Sequence, residues 1–304
     1  MKNNAHATSH LFFSKDTRAL TIAGWLTGIY FVIELGIGLW TGSVSVTSDA
    51  FHTFSAVGGV MIALVANFFA QKGSNVFQTY GLIRAEIVGA LFNGLFLTAM
   101  AIFVFWMGIM RLNDPMDLPT TPMFIAAFGG LVTEIISFLL LYKAQKTNLN
   151  IKGAFWHVLQ TFVGSLIIIV SAVVIRITGF MAIDPILGMA FGLVLFWASW
   201  KIISEALEIL LEKTPKDLNL KALVQDIAKI ENVISAHHVH AWSLTSGKNI
   251  LSAHVHIKNS GNNDIIQQKI HAFLKSKFKI YISTIQVEKK CLDKETAEEI
   301  NIIK

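Results

Sequence analysis

Long apolar runs fill the first two thirds of the chain and predict membrane-spanning helices. A helix needs roughly 20 apolar residues to cross the hydrocarbon core of a bilayer. Six runs approach that length: Ala19–Trp40, Val44–Ala70, Ile87–Met110, Met123–Tyr142, Ala154–Ile175 and about Ile183–Trp200. From Lys201 onward apolar residues are mixed with charged ones, which is typical of a soluble domain. We therefore predict an α-helical membrane protein: an N-terminal segment at 1–18, six transmembrane helices within 19–212 and a soluble domain at 213–304.

The soluble domain alternates helical and strand-like patterns, which predicts an α+β fold. A helix near Leu218–Ile230 precedes two strand-like runs, Ser235–Leu244 and Ile250–Ile257. A second helix near Asp264–Phe278 and a last strand near Ile280–Glu288 follow. The order αββαβ predicts a single sheet packed against two helices.

Composition and charge support membrane insertion and indicate its direction. The chain is 53% hydrophobic and only 15% charged, whereas soluble domains carry about a quarter charged residues. With a cytoplasmic N-terminus, eight basic residues precede the soluble domain on the inner side and two lie on the outer side. Because basic residues favour the cytoplasmic side, we expect both termini, and the soluble domain, in the cytoplasm. The net charge of +5 then follows from topology, so membrane lipid and not nucleic acid is the expected partner.

Ionisable residues inside the predicted spans are candidates for function, since such groups are rare in a bilayer. They are Glu34, Asp49, His52, Glu134 and His157. His52 and His157 each lie about ten residues from a span end, which is about 15 Å deep and close to the midplane. Two imidazoles at one depth can share a transition-metal cation. The alternative, that each histidine only hydrogen-bonds a neighbouring helix, stays open, as does a water-facing role for Asp49.

Histidines are also concentrated in the soluble domain, on the two adjacent strands. Alternation along a strand predicts His238 and His240 on one face and His237 on the other. Histidines that face each other across neighbouring strands, with Glu288 as an oxygen ligand, are candidate metal ligands. Several of these histidines can equally be surface residues. Because the chain has one cysteine, Cys291, no thiolate-rich cluster is expected.

Taken together, these motifs resemble the cation diffusion facilitator family of zinc, cadmium and cobalt exporters. The resemblance extends from about Arg18 to Glu288 and rests on seven stretches in family order: VIELGIGLWTGSVSVTSDAFH, TYGLIRAEIVGALFNGLFL, LNIKGAFWHV, Asp184-Pro185, ILLEKTP, HAWSLTSGKNILSAHV and TIQVE. It implies proton-coupled export of a divalent cation across the cytoplasmic membrane by a homodimer. It also implies a metallochaperone-like, metal-sensing C-terminal domain, no prosthetic group and no enzymatic activity.

The resemblance implies a transmembrane metal site that this chain contains only in part. The family pattern is His or Asp followed four residues later by Asp on the second span, and His-x-x-x-Asp on the fifth. His52 and His157 match the first position of each pattern, but Ala56 and Thr161 stand where the family has aspartate. Fewer anionic ligands leave a buried cation less well compensated.

Glu134 occupies the position of a family asparagine on the fourth span. This exchange leads to the hypothesis that Glu134, with Asp49 or Gln160, supplies a substitute carboxylate and shifts the metal preference. Zinc is the default substrate from the ligand types.

In the soluble domain the resemblance implies a partial cytoplasmic metal site. His237, His254 and Glu288 match positions that ligate zinc in the family, and His240 matches a common family histidine. A histidine frequent in the family is replaced by Ile282. The expected role is regulatory, tightening the dimer as cytoplasmic metal rises.

Three functions remain open on the sequence alone. The first is an active divalent cation/proton antiporter of the zinc type. The second is a non-transporting or regulatory partner subunit, which would pair with a different chain, and the third is a membrane-anchored metal sensor. The family resemblance favours the first function, whereas the loss of both aspartates, at Ala56 and Thr161, supports the other two as alternatives.

Overall fold

The structure, a computed structural model, describes most of the chain. The described residues are 15–54, 57–58, 74–142, 149–259 and 262–290, without the side chains of residues 15–20, 149–157 and 160. They form two compact units, one within residues 1–65 and 90–203 and the other within residues 66–89 and 204–304.

Long apolar helices make up the first unit. They are α1 (Lys15–Thr41), α2 (described over residues 44–54), α3 (Ala85–Asn113), α4 (Thr120–Leu141), α5 (Leu149–Thr178) and α6 (Ile183–Leu210). Five of them are long and apolar enough to cross a bilayer. The second predicted span begins as α2, and most of its remainder, including Ala56, lies outside the described residues.

The surface of these helices is largely apolar and their interior contains many small and polar residues, which fits a lipid environment. Large side chains such as Trp25, Trp40 and Trp197 are exposed. The buried positions include many serines, threonines and glycines, which let helices approach closely and hydrogen-bond. The chain is therefore a multi-pass membrane protein.

Asp184, at the start of α6, holds the first turn of α2. Its carboxylate accepts hydrogen bonds from the Ser43 hydroxyl (2.7 Å) and from the backbone N–H groups of Val44 (2.7 Å) and Ser45 (3.3 Å). The Ser171 hydroxyl on α5 also donates to it (3.3 Å). Because the first N–H groups of a helix have no partner within the helix, Asp184 satisfies them and joins α2 to α6.

The αββαβ order predicted for the soluble domain is confirmed in the second unit. It comprises α7 (Leu220–Ala228), β1 (Val233–Thr245), β2 (Lys248–Ile257), α8 (Asn263–Phe278) and β3 (Ile282–Glu288). The sheet order is β1-β2-β3, with β1 and β2 antiparallel and β2 and β3 parallel. Asn219 and Asn262 cap the two helices by accepting backbone N–H bonds.

Alternation along β2 separates a core face from an open face. Leu251, Val255 and Ile257 belong to the core formed with the two helices. Residues at even positions, among them His254 and His256, therefore point to the other face. This open face of the sheet carries most of the histidines.

Candidate metal sites

Three carboxyl groups from three different helices meet inside the membrane unit. Glu34 on α1, Asp49 on α2 and Glu134 on α4 are 0%, 1% and 6% exposed. The carboxyl groups of Glu34 and Asp49 lie within hydrogen-bonding range of each other, and Glu134 is close enough to act electrostatically on both. The structure thus brings together the acidic residues that the sequence singled out within the spans.

Small residues allow the helices to approach at this point. On α5, Gly164 packs directly against the Asp49 carboxylate, so that any side chain at position 164 would overlap it. On α1, Gly38 packs against Thr47 of α2, where a Cβ would lie 2.7 Å from the threonine hydroxyl. These contacts place Asp49 between α1 and α5.

Glu134 faces the part of α5 where the family aspartate is missing. Its Oε1 accepts a hydrogen bond from the Ser165 hydroxyl (3.0 Å), and its carboxyl group also lies beside Thr161. The Thr161 hydroxyl donates to the Val158 carbonyl (2.9 Å). Glu134 Oε2 has no hydrogen-bond partner among the described residues, so a lone pair there is available to a cation.

His52 lies one turn beyond Asp49 on α2 and is 5% exposed. Its ring contacts the edge of Phe191 on α6, with 5.3 Å between ring centroids. His157 lies within α5 four residues before Thr161, but its side chain and that of Gln160 are outside the described residues. The pairing of His52 with His157 therefore stays a prediction.

The second candidate site lies on the open face of the sheet in the second unit. One ring nitrogen from each of His237, His238 and His254 lies within 4.8 Å of the others. Glu288 Oε1 lies 3.0 Å from His237 Nε2 and 3.4 Å from His254 Nδ1. In a tetrahedral zinc site with bonds near 2.0–2.1 Å, neighbouring ligand atoms are about 3.3 Å apart. The two Glu288 separations are close to this value, and the three imidazole nitrogens with an oxygen beside two of them are ligands of the type that zinc prefers.

A β-bulge brings His238 into this cluster, against the alternation expected from the sequence. His237 pairs with His254 and His240 pairs with Ser252, so β1 uses one more residue than β2 over this stretch. His238 lies in this bulge, and its backbone is left-handed (φ 49°). The prediction that His237 points away from His238 is therefore wrong, and His240 is not part of the cluster formed by the described residues.

The local environment keeps the His237 imidazole in the form that binds metal. Burial lowers the pKa of His237, and the neighbouring His238 and His254 lower it further, while Glu288 opposes them. A metal ligand must be neutral imidazole. The donor set is thus suited to a metal at neutral pH.

Sequence reasoning missed three contributors to these sites. His238 was assigned to the opposite face because no residue pattern marks the bulge. Gly164 and Ser165 carried no chemical signal of their own, since their importance comes from the acidic residues they face.

Comparison with known proteins assigns both the helical part and the C-terminal part of the chain to one family. The model of the cation efflux transmembrane domain matches residues 20–211. That of the cation efflux protein cytoplasmic domain matches residues 215–290. The chain belongs to the cation efflux family, also called the cation diffusion facilitators.

Characterised relatives cover nearly the whole chain. It is 34% identical over 281 residues to the metal cation efflux system protein CzcD of Cupriavidus metallidurans, which covers 92% of this chain and 89% of the relative. It is 32% identical over 286 residues to the zinc transporter ZitB of Pectobacterium atrosepticum, covering 93% and 89%. It is 31% identical over 268 residues to the cadmium, cobalt and zinc/H(+)-K(+) antiporter of Bacillus subtilis, covering 86% of each.

Proposed function

We propose that this chain is a divalent cation/proton antiporter of the zinc type that exports its substrate from the cytoplasm. The family assignment, the names of the relatives and the two candidate metal sites support this function. Both termini are cytoplasmic, as the distribution of basic residues indicates. The transporting unit is a homodimer in the cytoplasmic membrane.

The observation that carries the proposal is the position of Glu134. Its carboxyl group lies beside Thr161, where the family pattern has aspartate, and is held there by Ser165. We propose that Glu134 replaces the missing aspartate, so that the cation binds to His52, His157 and Glu134, with Asp49 close by. An anionic oxygen restores part of the charge compensation that a buried divalent cation requires.

The cytoplasmic cluster is proposed to sense metal. With His237, His238, His254 and Glu288 in place, it can bind zinc independently of the membrane site. Metal bound here would stabilise the cytoplasmic domain and favour the dimer.

Zinc uptake into everted membrane vesicles tests the transport function. Wild-type protein should accumulate zinc when the vesicle interior is acidic, and dissipating the proton gradient should abolish the uptake. Glu134→Gln, which removes the charge but keeps the shape, should lower uptake tenfold or more. Glu205→Gln, an equivalent exchange at an exposed position of α6, should transport like wild type. Unchanged uptake in Glu134→Gln would contradict the proposed ligand role.

The second candidate function is a non-transporting partner subunit or membrane-anchored sensor. It is favoured by a cytoplasmic cluster with four ligating side chains in place next to a membrane site that lacks both family aspartates. Metal-resistance complementation in a strain without exporters distinguishes the two functions. Growth protection identifies a transporter, whereas absence of protection together with zinc binding to the purified protein identifies a sensor or partner.

A further inference from the structure

Glu34 has no place in the histidine-based transport site, although its side chain is fully buried in the membrane unit. It comes from α1, whereas His52 is on α2 and His157 on α5. Its carboxyl group lies against that of Asp49. The histidine-based site therefore does not account for a second carboxyl group buried beside Asp49.

The hydrogen bonding of Glu34 differs from that of a structural carboxylate. Asp184 shows the structural case, since hydroxyl and backbone N–H donors surround it. Neither oxygen of Glu34 nor Asp49 Oδ1 accepts a hydrogen bond from a backbone or hydroxyl donor among the described residues. Within hydrogen-bonding range of the Glu34 carboxyl group lie the Asp49 carboxyl group and the Tyr30 hydroxyl. The nearby Tyr30 hydroxyl donates its proton to the Ala126 carbonyl (2.5 Å). Acceptor oxygens therefore face other acceptor oxygens.

No basic group among the described residues compensates these carboxyl groups if they are ionised. None of the salt bridges formed by the described residues includes Glu34, Asp49 or Glu134. Burying an uncompensated charge costs several kcal/mol per ion in order of magnitude. A positive ligand among the three carboxyl groups would remove this cost. Carboxylate oxygens are the ligands preferred by hard divalent cations such as Mn²⁺.

We propose that Glu34 and Asp49, with Glu134 on the neighbouring helix, form an oxygen-ligand cation site beside the histidines. The site takes a divalent cation that prefers oxygen, of the Mn²⁺ class, and it shares Asp49 and Glu134 with the zinc-type site proposed above. The proposal requires only that the cation binds, so it does not depend on zinc transport by this chain.

Mn²⁺ binding to the purified full-length protein tests the proposal, because hydrated Mn²⁺ loses its electron paramagnetic resonance signal when it binds. His237→Ala and His254→Ala are combined as a background that removes the cytoplasmic cluster. This background protein should bind Mn²⁺, and adding Glu34→Gln should weaken binding tenfold or more. Adding Glu205→Gln, the same exchange on the exposed side of α6, should change nothing. His52→Ala should leave Mn²⁺ binding intact, since no imidazole belongs to this site.

Size-exclusion chromatography establishes that each variant is folded before its binding is compared. If Glu34→Gln does not fold, Glu34→Asp replaces it; this variant keeps the charge, shortens the side chain and should also weaken Mn²⁺ binding. Two results would overturn the proposal: equal Mn²⁺ binding with and without Glu34→Gln, or no Mn²⁺ binding to the background protein. The second result would mean that the carboxyl pair holds protons only. Zinc transport in Glu134→Gln tests the export proposal. Mn²⁺ binding with and without Glu34→Gln tests this one, because Glu34 belongs only to the oxygen-ligand site.

Discussion

Gly164 illustrates how one residue without a side chain determines the geometry of the membrane site. The Asp49 carboxylate occupies the space that a Cβ at position 164 would need. Since the region is close-packed, the carboxylate cannot move aside without displacing its neighbours. The acidic group therefore depends on a glycine on the facing helix.

We predict that Gly164→Ala destabilises the protein by about 1–3 kcal/mol, the usual cost of overpacking a core, and lowers zinc uptake. Thermal unfolding in detergent and vesicle uptake measure the two effects. Gly24→Ala is the matched control, because Gly24 lies in α1 and has nothing within 4 Å of an added Cβ. Equal behaviour of the two variants would show that the Asp49 contact has no role in stability.

At the level of single residues, candidate side chains could be selected from the sequence more readily than their contacts with each other could be predicted. Glu34, Asp49 and Glu134 could be selected because charged groups within apolar runs are rare. Their convergence depends on which helices touch, and similar apolar runs do not encode that choice. His238 shows the same limit, since a bulge arises from strand pairing and leaves no signature in local alternation.

Among the elements, α2 depends on a residue outside it. Asp184 provides the acceptors for the first N–H groups of α2, and α2 carries both Asp49 and His52. We predict that Asp184→Asn destabilises the protein by about 1–3 kcal/mol, because the amide offers one acceptor oxygen and leaves buried donors unsatisfied. Thermal unfolding would measure the loss, with Asp114→Asn at an exposed position as the control. A variant as stable as this control would exclude the anchoring role.

The bulge in β1 leads to a prediction for the cytoplasmic cluster. His238→Gly removes a ligand but tolerates the left-handed backbone at this position. Zinc affinity of the full-length protein should therefore fall about tenfold or more, equivalent to at least 1.4 kcal/mol, with the fold preserved. Isothermal titration measures it. His240→Gly on the same strand lies outside the cluster and should bind zinc normally; an equal loss in both variants would argue against a ligand role for His238.

The type and order of the elements followed from the sequence more readily than their contacts did. Apolar runs near 20 residues specify membrane helices by length alone, and five of them are confirmed. The cytoplasmic strands were placed within a few residues because alternating runs end at turn residues. The parallel pairing of β2 with β3 follows from how α8 returns the chain across the sheet.

For the whole molecule, the main feature is that the two candidate metal sites are built from separate sets of elements. The C-terminal domain has a hydrophobic core of its own, drawn from α7, α8 and all three strands. Its candidate metal cluster lies on the opposite face of the same sheet, with side chains from β1, β2 and β3. Metal bound there would join three strands that the core already supports.

This arrangement predicts that zinc stabilises the cytoplasmic domain without help from the membrane site. A ligand at about 100 times its Kd stabilises the folded state by about 2.7 kcal/mol. Hydrogen exchange of the β1 and β2 amides should therefore slow markedly with zinc and return to the metal-free rate after chelation. The effect should vanish in His254→Ala and persist in Glu134→Gln, because only the first variant alters the cluster. Protection that disappears in Glu134→Gln would instead mean that the two sites are coupled, and the cytoplasmic cluster would then report occupancy of the membrane site and not the zinc concentration of the cytoplasm.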